Sequence, residues 1–275
     1  MPDVIIPFDE SLLKVKFEGP GLGIHGVPIY ELGTTLIAIQ RMVHKAYLVD
    51  QELETKRLFL SRKERDRLAL QLGGRKSASD GYGIVPLLTS GAGQNAVGGF
   101  IAWIMSCLTA YALRRVFRRD GDKDKQHIFN VIVFNQLSEL AGRIRNDGVE
   151  VIQIATSLPN APQPVRLDKE FKKYVGELKG QMAYGEMQEI QGKVVDLIPG
   201  ENAVKITREA ETTIKVLLTV ADFEEIRYTS IKNPIVRFTG EPMYRLGVET
   251  YNYEAFNAHS MVILGGADDE VQSEG

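Results

Sequence analysis

Gly81-Tyr-Gly-Ile-Val-Pro-Leu-Leu-Thr-Ser-Gly-Ala-Gly-Gln-Asn-Ala-Val-Gly-Gly-Phe-Ile-Ala-Trp-Ile-Met-Ser-Cys-Leu-Thr-Ala-Tyr-Ala-Leu113 contains no Asp, Glu, Lys, Arg or His, in a chain of 275 residues of which 25% are charged. It stops abruptly at Arg114-Arg-Val-Phe-Arg-Arg119. A run this free of charge has to be buried in a protein core, an interface or lipid. Its densest part, 96–113, approaches the roughly 20 apolar residues that span a bilayer as a helix. Choosing among these environments is most of the functional question.

Placed as a helix from about Asn95 to Phe117, the stretch has Gly98, Ala102, Ser106 and Ala110 four apart. That spacing makes a narrow stripe of small side chains, which lets helices approach closely in membranes or tight bundles. Trp103, Ile104, Ile101, Leu108, Tyr111 and Leu113 take the remaining surface, so the expected helix is apolar nearly all round and packs on every side.

Outward from it, Leu12 to Glu18 alternate apolar and polar positions, the period-two pattern of a half-buried strand. From Pro28 to about Gln51, the residues Ile29, Leu32, Leu36, Ile39, Val43 and Ala46 recur at steps of three and four and define an amphipathic helix. Leu68–Leu72 and Ile84–Leu88, separated by a polar Gly-rich stretch, read as a hairpin. Beyond the arginines come a second helix, 127–145, a short strand from Val149 and, after Pro159, Pro162 and Pro164, an amphipathic helix over 165–179. From about Met187 the pattern changes to short strands: 191–197, 204–207, 213–218, 235–238, 245–251 and 260–264. So many strands in so short a span suggest a small closed barrel of SH3-like or OB-like type.

The expected fold class is therefore α+β. A small α+β domain occupies 1–90, a central long apolar helix 91–120, a helical region 121–185, a β-barrel 186–265, and an acidic tail 266–275.

Composition excludes little. Net charge is −3. The single Cys107 argues for a reducing compartment and reads as an inert core thiol. No basic, apolar leader marks the amino terminus, so synthesis in the cytoplasm is expected.

Enzyme signals are poor. Gly91-Ala-Gly-Gln-Asn-Ala-Val-Gly-Gly99 lacks the Lys-Ser/Thr of a phosphate loop and the following acid of a dinucleotide site; helix packing explains its glycines better. Gly74-Arg-Lys-Ser77 fails as a phosphate loop too, and suits a polar hairpin tip. His25, His44, His127 and His259 have no paired metal spacing. His44, beside the apolar face of its helix, reads as structural. No catalytic residue, metal or cofactor is expected.

Arg114, Arg115, Arg118 and Arg119 admit three readings: a solvated helix end, an anchor at anionic lipid, or a phosphate-binding cluster. The first two are compatible and are preferred. In the barrel, Lys205, Arg208, Lys215 and Arg245 form the candidate ligand-binding set, accompanied by Arg227, Arg237, Tyr228, Tyr244, Tyr251 and Tyr253. Basic and aromatic residues together suit an oligonucleotide. They are also usual on barrel strands, and Glu209, Glu211, Glu224 and Glu225 dilute the charge.

A permanent span is awkward, because one flanking domain would have to cross the membrane, against the positive-inside tendency in one case and without a leader in the other. A helix held in a symmetric oligomer, entering lipid on activation, avoids both objections.

Gly19-Pro-Gly-Leu-Gly-Ile-His-Gly-Val-Pro-Ile-Tyr-Glu-Leu-Gly33, the helix after it, the single apolar segment and the terminal barrel together resemble a group of bacterial anti-phage defence proteins. The arrangement is similar to the membrane-channel effector of Hailong-type systems. The resemblance implies an autoinhibited homo-oligomer such as a tetramer, a DNA-oligomer ligand made by a partner nucleotidyltransferase, and permeabilisation of the bacterial inner membrane. It supplies no ligand residue one by one. The alternatives are an oligomeric binding or scaffold protein with a buried apolar helix, and a nucleic-acid-binding barrel protein.

Overall fold

Leu13, Val15 and Phe17 are buried while Lys14, Lys16 and Glu18 alternate with them, and the strand they form, β1 (Leu13–Glu18), lies at the centre of a five-stranded sheet. The computed structural model describes residues 8–20, 22, 26–51, 53, 59–75, 81–86, 91–115, 129–158, 163–185, 187–208, 213–247 and 254–266. The chain divides into two units, 1–180 with 246–251, and 181–245 with 252–275.

In the first unit β1 is joined by β2 (Leu70–Arg75), β3 (Gly81–Pro86), β4 (Val151–Thr156) and β5 (Val165–Leu167), in the order β2-β3-β1-β4-β5, with every pairing antiparallel. The register sets Leu13 opposite Ile84 and Thr156, and Val15 opposite Tyr82 and Ile154, so one face is apolar. The other carries Lys16, Glu18, Gln153 and Arg166. There the Glu18 carboxylate accepts from Lys16 (3.0 Å), Gln153 (2.8 Å) and Arg166 (3.2 Å), and the Lys16 hydrogen bond leads in holding its carboxyl below the usual range.

The helices are α1 (Ile29–Asp50), α2 (Arg62–Arg67), α3 (Gly91–Ala112), α4 (Phe134–Arg143) and α5 (Lys169–Leu178). α3 lies against β3, β4 and β5 and touches α1 and α5. Its large side chains Phe100, Ile101, Ile104, Met105, Leu108 and Tyr111 are buried, each worth about 1.5–3 kcal/mol relative to exposure. The Tyr111 hydroxyl donates to the Asn130 carbonyl at 2.9 Å. Its ring packs on Phe134 and Tyr174, and Trp103 packs on Phe129, which ties α3 to the segments that follow.

Two local expectations change. The buried stripe of α1 is Thr35, Ala38, Ile39, Met42, Val43, Ala46 and Val49, whereas Ile29 is exposed: the helix is rotated from the face its spacing suggests. The helix expected over 165–179 begins with a strand, because Val165 and Leu167 alternate inward and Asp168 caps α5 by accepting from the Glu170 and Phe171 amides.

The second unit contains β6 (Met182–Tyr184), β7 (Gln188–Ile198), β8 (Ala203–Thr207), β9 (Thr213–Leu217), α6 (Val220–Tyr228), β10 (Pro234–Arg245) and β11 (Ala255–Gly266). β7, β8 and β9 form an antiparallel meander; β9 runs parallel to β11, β11 pairs with β10, and β10 returns to β7. The ring is closed, with β6 added outside on β10. Its interior is Ile190, Val194, Val204, Ile206, Ile214, Val216, Val236, Phe238, Phe256 and Ala258, and α6 adds Phe223 and Ile226. Gly240 is required where β10 bulges: a Cβ there would lie 2.1 Å from the Asn257 carbonyl oxygen. The strand expected over 245–251 is not found where it can be followed: Arg245 ends β10, Leu246 and Gly247 turn, and 248–251 lie outside the described residues.

Candidate functional site

β2 is one of the two edge strands of the first sheet, the other being β5. The Leu70 amide donates to Gln40 Oε1 at 2.7 Å, and Gln40 Nε2 donates to the Leu68 carbonyl at 2.9 Å. The carboxamide thus spans the O(i−1) and N(i+1) groups around Ala69 as a neighbouring parallel strand would. Leu70 N–H therefore points away from β3, in accord with its opposite residue, Pro86, which has no N–H to share. Residues two apart point the same way, so the N–H and C=O of Leu72 also face outward. Among the described residues they have no hydrogen-bond partner.

Beside that edge is a groove of about 250 Å³ lined by Leu36, Ile37, Gln40, Leu70, Gln71, Leu72 and Ile84. Ile37 is 53% exposed and Leu72 50%. An edge strand usually carries lysine, proline, a bulge or an inward charge against unwanted pairing; β2 has its irregularity and its one charge, Arg75, at its far end, and Leu70-Gln-Leu72 carries neither charge nor proline. The Gln40 amide also donates to His44 Nε2 at 2.9 Å, which requires an unprotonated acceptor nitrogen. Burial, and then the nearby positive Arg65, hold His44 below its ordinary pKa of 6.5.

The small-residue helix is placed differently from expectation. Within α3, Gly98 is buried, with Leu158 3.6 Å from where its Cβ would be; Ala102 and Ser106 are exposed, and Trp103 and Ala110 are half-buried. Ile104 is fully buried. The helix is two-faced, with Phe100, Ile101, Ile104, Met105, Leu108 and Tyr111 inward and Gly99, Ala102 and Ser106 outward, and is not buried all round as expected. No helix among the described residues is long and apolar enough to cross a membrane. The transmembrane-helix and channel readings are corrected accordingly: the large side chains from Phe100 to Tyr111 are taken up by a core, while Ala102 and Ser106 face outward. The helix ends at Ala112, five residues earlier than expected. Arg114 takes a left-handed φ of 56° beyond it and pairs with Glu170, while Arg115 is exposed. Arg118 and Arg119 lie outside the described residues.

The barrel set is not assembled into one site. Lys205 pairs with Asp196 (3.1 Å), Lys215 with Glu201, and Arg245 with Glu254; Arg208 is exposed at the end of β8. Lys205 and Lys215 are opposite each other in register, but each has its own carboxylate. β7, β8 and β9 contain no aromatic residue. The second unit holds 8 Lys and Arg against 15 Asp and Glu, a net −7, leaving the rest of the chain at +4.

Other chemistry is sparse. Burial raises the Cys107 thiol well above its usual range, so no thiolate is available. No group of His, Cys, Asp and Glu able to hold a metal occurs among the described residues. His259 stands 3.4 Å from Glu241, and His25 and His127 lie outside the described residues. Between α1 and α4, Glu31 and Arg143 face each other at 3.5 Å, and Glu31 Oε2, Thr35 Oγ1, Gln136 Oε1 and two Arg143 nitrogens are buried without hydrogen bonds. These atoms are sealed from solvent, so the shallow cleft over Arg41, Asn135, Gln136, Ser138 and Glu139 offers a ligand no access to them.

Sequence reasoning locates β2 but misses Gln40 and Ile37. The available signal is Ile37 itself, a large aliphatic residue off the expected apolar stripe of its helix. No family model, curated protein or solved structure matches the chain, so the resemblance in layout to defence effectors has no relative to carry it.

Proposed function

We propose that this chain is a binding protein that takes an extended segment of another polypeptide onto the outer edge of β2. What carries this reading is the Gln40 bridge to Leu68 and Leu70, which sets the outward direction of the edge, together with the Leu72 main chain that has no partner among the described residues beside an apolar groove. Strand addition uses these two ingredients: main-chain hydrogen bonds supply affinity, and pockets for alternate side chains supply selectivity. Leu72→Pro removes an N–H that has no partner among the described residues, and edge strands tolerate proline. Selection of displayed random peptides on wild type and on Leu72→Pro tests the reading. Enrichment on wild type that disappears on the variant supports it; equal enrichment on both contradicts it.

The barrel is not adopted as the principal site. Its connectivity, with the third strand parallel to the fifth and a helix between the third and fourth, is that of OB-type rather than SH3-like barrels, and OB-type barrels bind oligonucleotides on the face of their second and third strands. Here that face lacks a stacking platform, its lysines are engaged, and its unit is acidic, which disfavours a polyanion.

A further inference from the structure

We infer that the segment received by β2 is a short extended peptide with apolar side chains at alternate positions and acidic side chains at the end lying beside α2. The inference rests on the edge-binding reading and adds the chemistry of the partner.

Length follows from the two ends of the open edge. Gln40 already occupies the Leu70 amide, and regular pairing of β2 is interrupted between Leu72 and Arg75. The outward groups without a partner among the described residues are the Leu70 carbonyl and the Leu72 amide and carbonyl, enough for about three residues of a partner strand. Side chains on one face of that strand enter the groove formed by Leu36, Ile37, Leu70 and Leu72, which is apolar. Those on the other face remain in solvent.

Charge follows from α2. Arg62, Lys63, Arg65 and Arg67 are exposed just before β2 begins and make no ion pair among the described residues. Glu64 is committed to the capping box with Ser61 and accepts from Tyr47, leaving Asp66 as the one uncommitted carboxylate of the helix. α2 is tied to the groove through α1: the Tyr47 hydroxyl of α1 donates to Glu64 of α2 at 3.3 Å, and Gln40 of α1 holds the start of β2. An acidic peptide end meets these cations. A second copy of this chain does not fit as well, because the β2 edge it would offer has no Asp or Glu to meet the cations of α2.

The test sequences displayed random peptides of about twelve residues selected on wild type, on Ile37→Asp and on Lys63→Glu/Arg67→Glu. All three side chains are exposed, and matched thermal unfolding midpoints, with Leu72→Pro as a second groove variant, verify that binding rather than folding is compared. The expected result is a family of alternating sequences with acids at one end, recovered at least about tenfold less on Ile37→Asp and on the charge-reversed protein. Clones that depend on Ile37 but lack acids, and bind the charge-reversed protein undiminished, overturn the inference while leaving edge binding intact. Absence of any Ile37-dependent clone overturns edge binding and the inference together. A native mass showing a dimer that Ile37→Asp dissolves assigns the edge to a second copy and overturns the peptide partner.

Discussion

The two sheets of this protein treat their edges in opposite ways. In the second unit β10 pairs with both β7 and β11, and β11 with β9, so the ring has no free strand among its five. In the first unit the order β2-β3-β1-β4-β5 leaves β2 at an edge, and one carboxamide, Gln40, stands where a neighbouring strand would begin. Closure satisfies backbone groups permanently, whereas an edge partly covered by a side chain keeps a place for another chain. The charge-free run that dominates the sequence serves the first sheet: Gly81–Pro86 forms β3, and the large residues of α3 fill the core over it.

The largest effect on this contrast is expected from opening the ring at its centre. Phe238→Ala removes a fully buried ring and should lower the stability of the second unit by about 3–5 kcal/mol, measured by denaturant titration, while amide protection of β1 and β4 persists. Next, Gln40→Ala leaves the Leu68 carbonyl and Leu70 amide without their partner, a cost of about 1–3 kcal/mol. Hydrogen exchange should show the loss concentrated at the start of β2.

A smaller effect comes from pH. His44 is held below its ordinary pKa in the folded state, so the unfolded chain binds its proton more readily. Its contribution is fully present above the unfolded value of 6.5 and is lost as pH falls from there through the lowered folded value. Urea midpoints at successive pH values, compared with His44→Gln, should isolate a decline below 6.5 that the variant lacks. The smallest effect is expected on the barrel surface: Lys205→Ala breaks an exposed pair with Asp196 and should change stability by no more than about 1 kcal/mol.

Much of this architecture is legible in local pattern. The alternation of Leu13, Val15 and Phe17 marks β1, the two apolar runs around the Gly-rich loop mark β2 and β3, and the short strands between turn signals from about Met187 mark the second sheet. The mixed α+β class with two sheets follows from those patterns. What escapes is decided by tertiary contact. α6 is short, and its Thr219 cap, which accepts from the Asp222 amide, has the composition of a turn. The length of β10 is hidden by Gly240 and Pro242, which a bulge accommodates. Charge-free composition does not separate a helix that packs on every side from one that turns Ala102 and Ser106 outward, because periodicity reports spacing and not which face meets the sheet. In the candidate site, Leu70 and Leu72 stand in a strand visible from sequence. The role of Gln40 depends on a contact 28 residues away along the chain, which no local pattern encodes.

Main-chain hydrogen exchange of the free protein tests the central contrast most directly. The Leu72 amide should exchange at least about 100-fold faster than the Val204 amide of the closed ring, and addition of an edge-binding peptide should slow it. A Leu72 amide already as protected as Val204 would mean that the edge is covered, and would contradict the account.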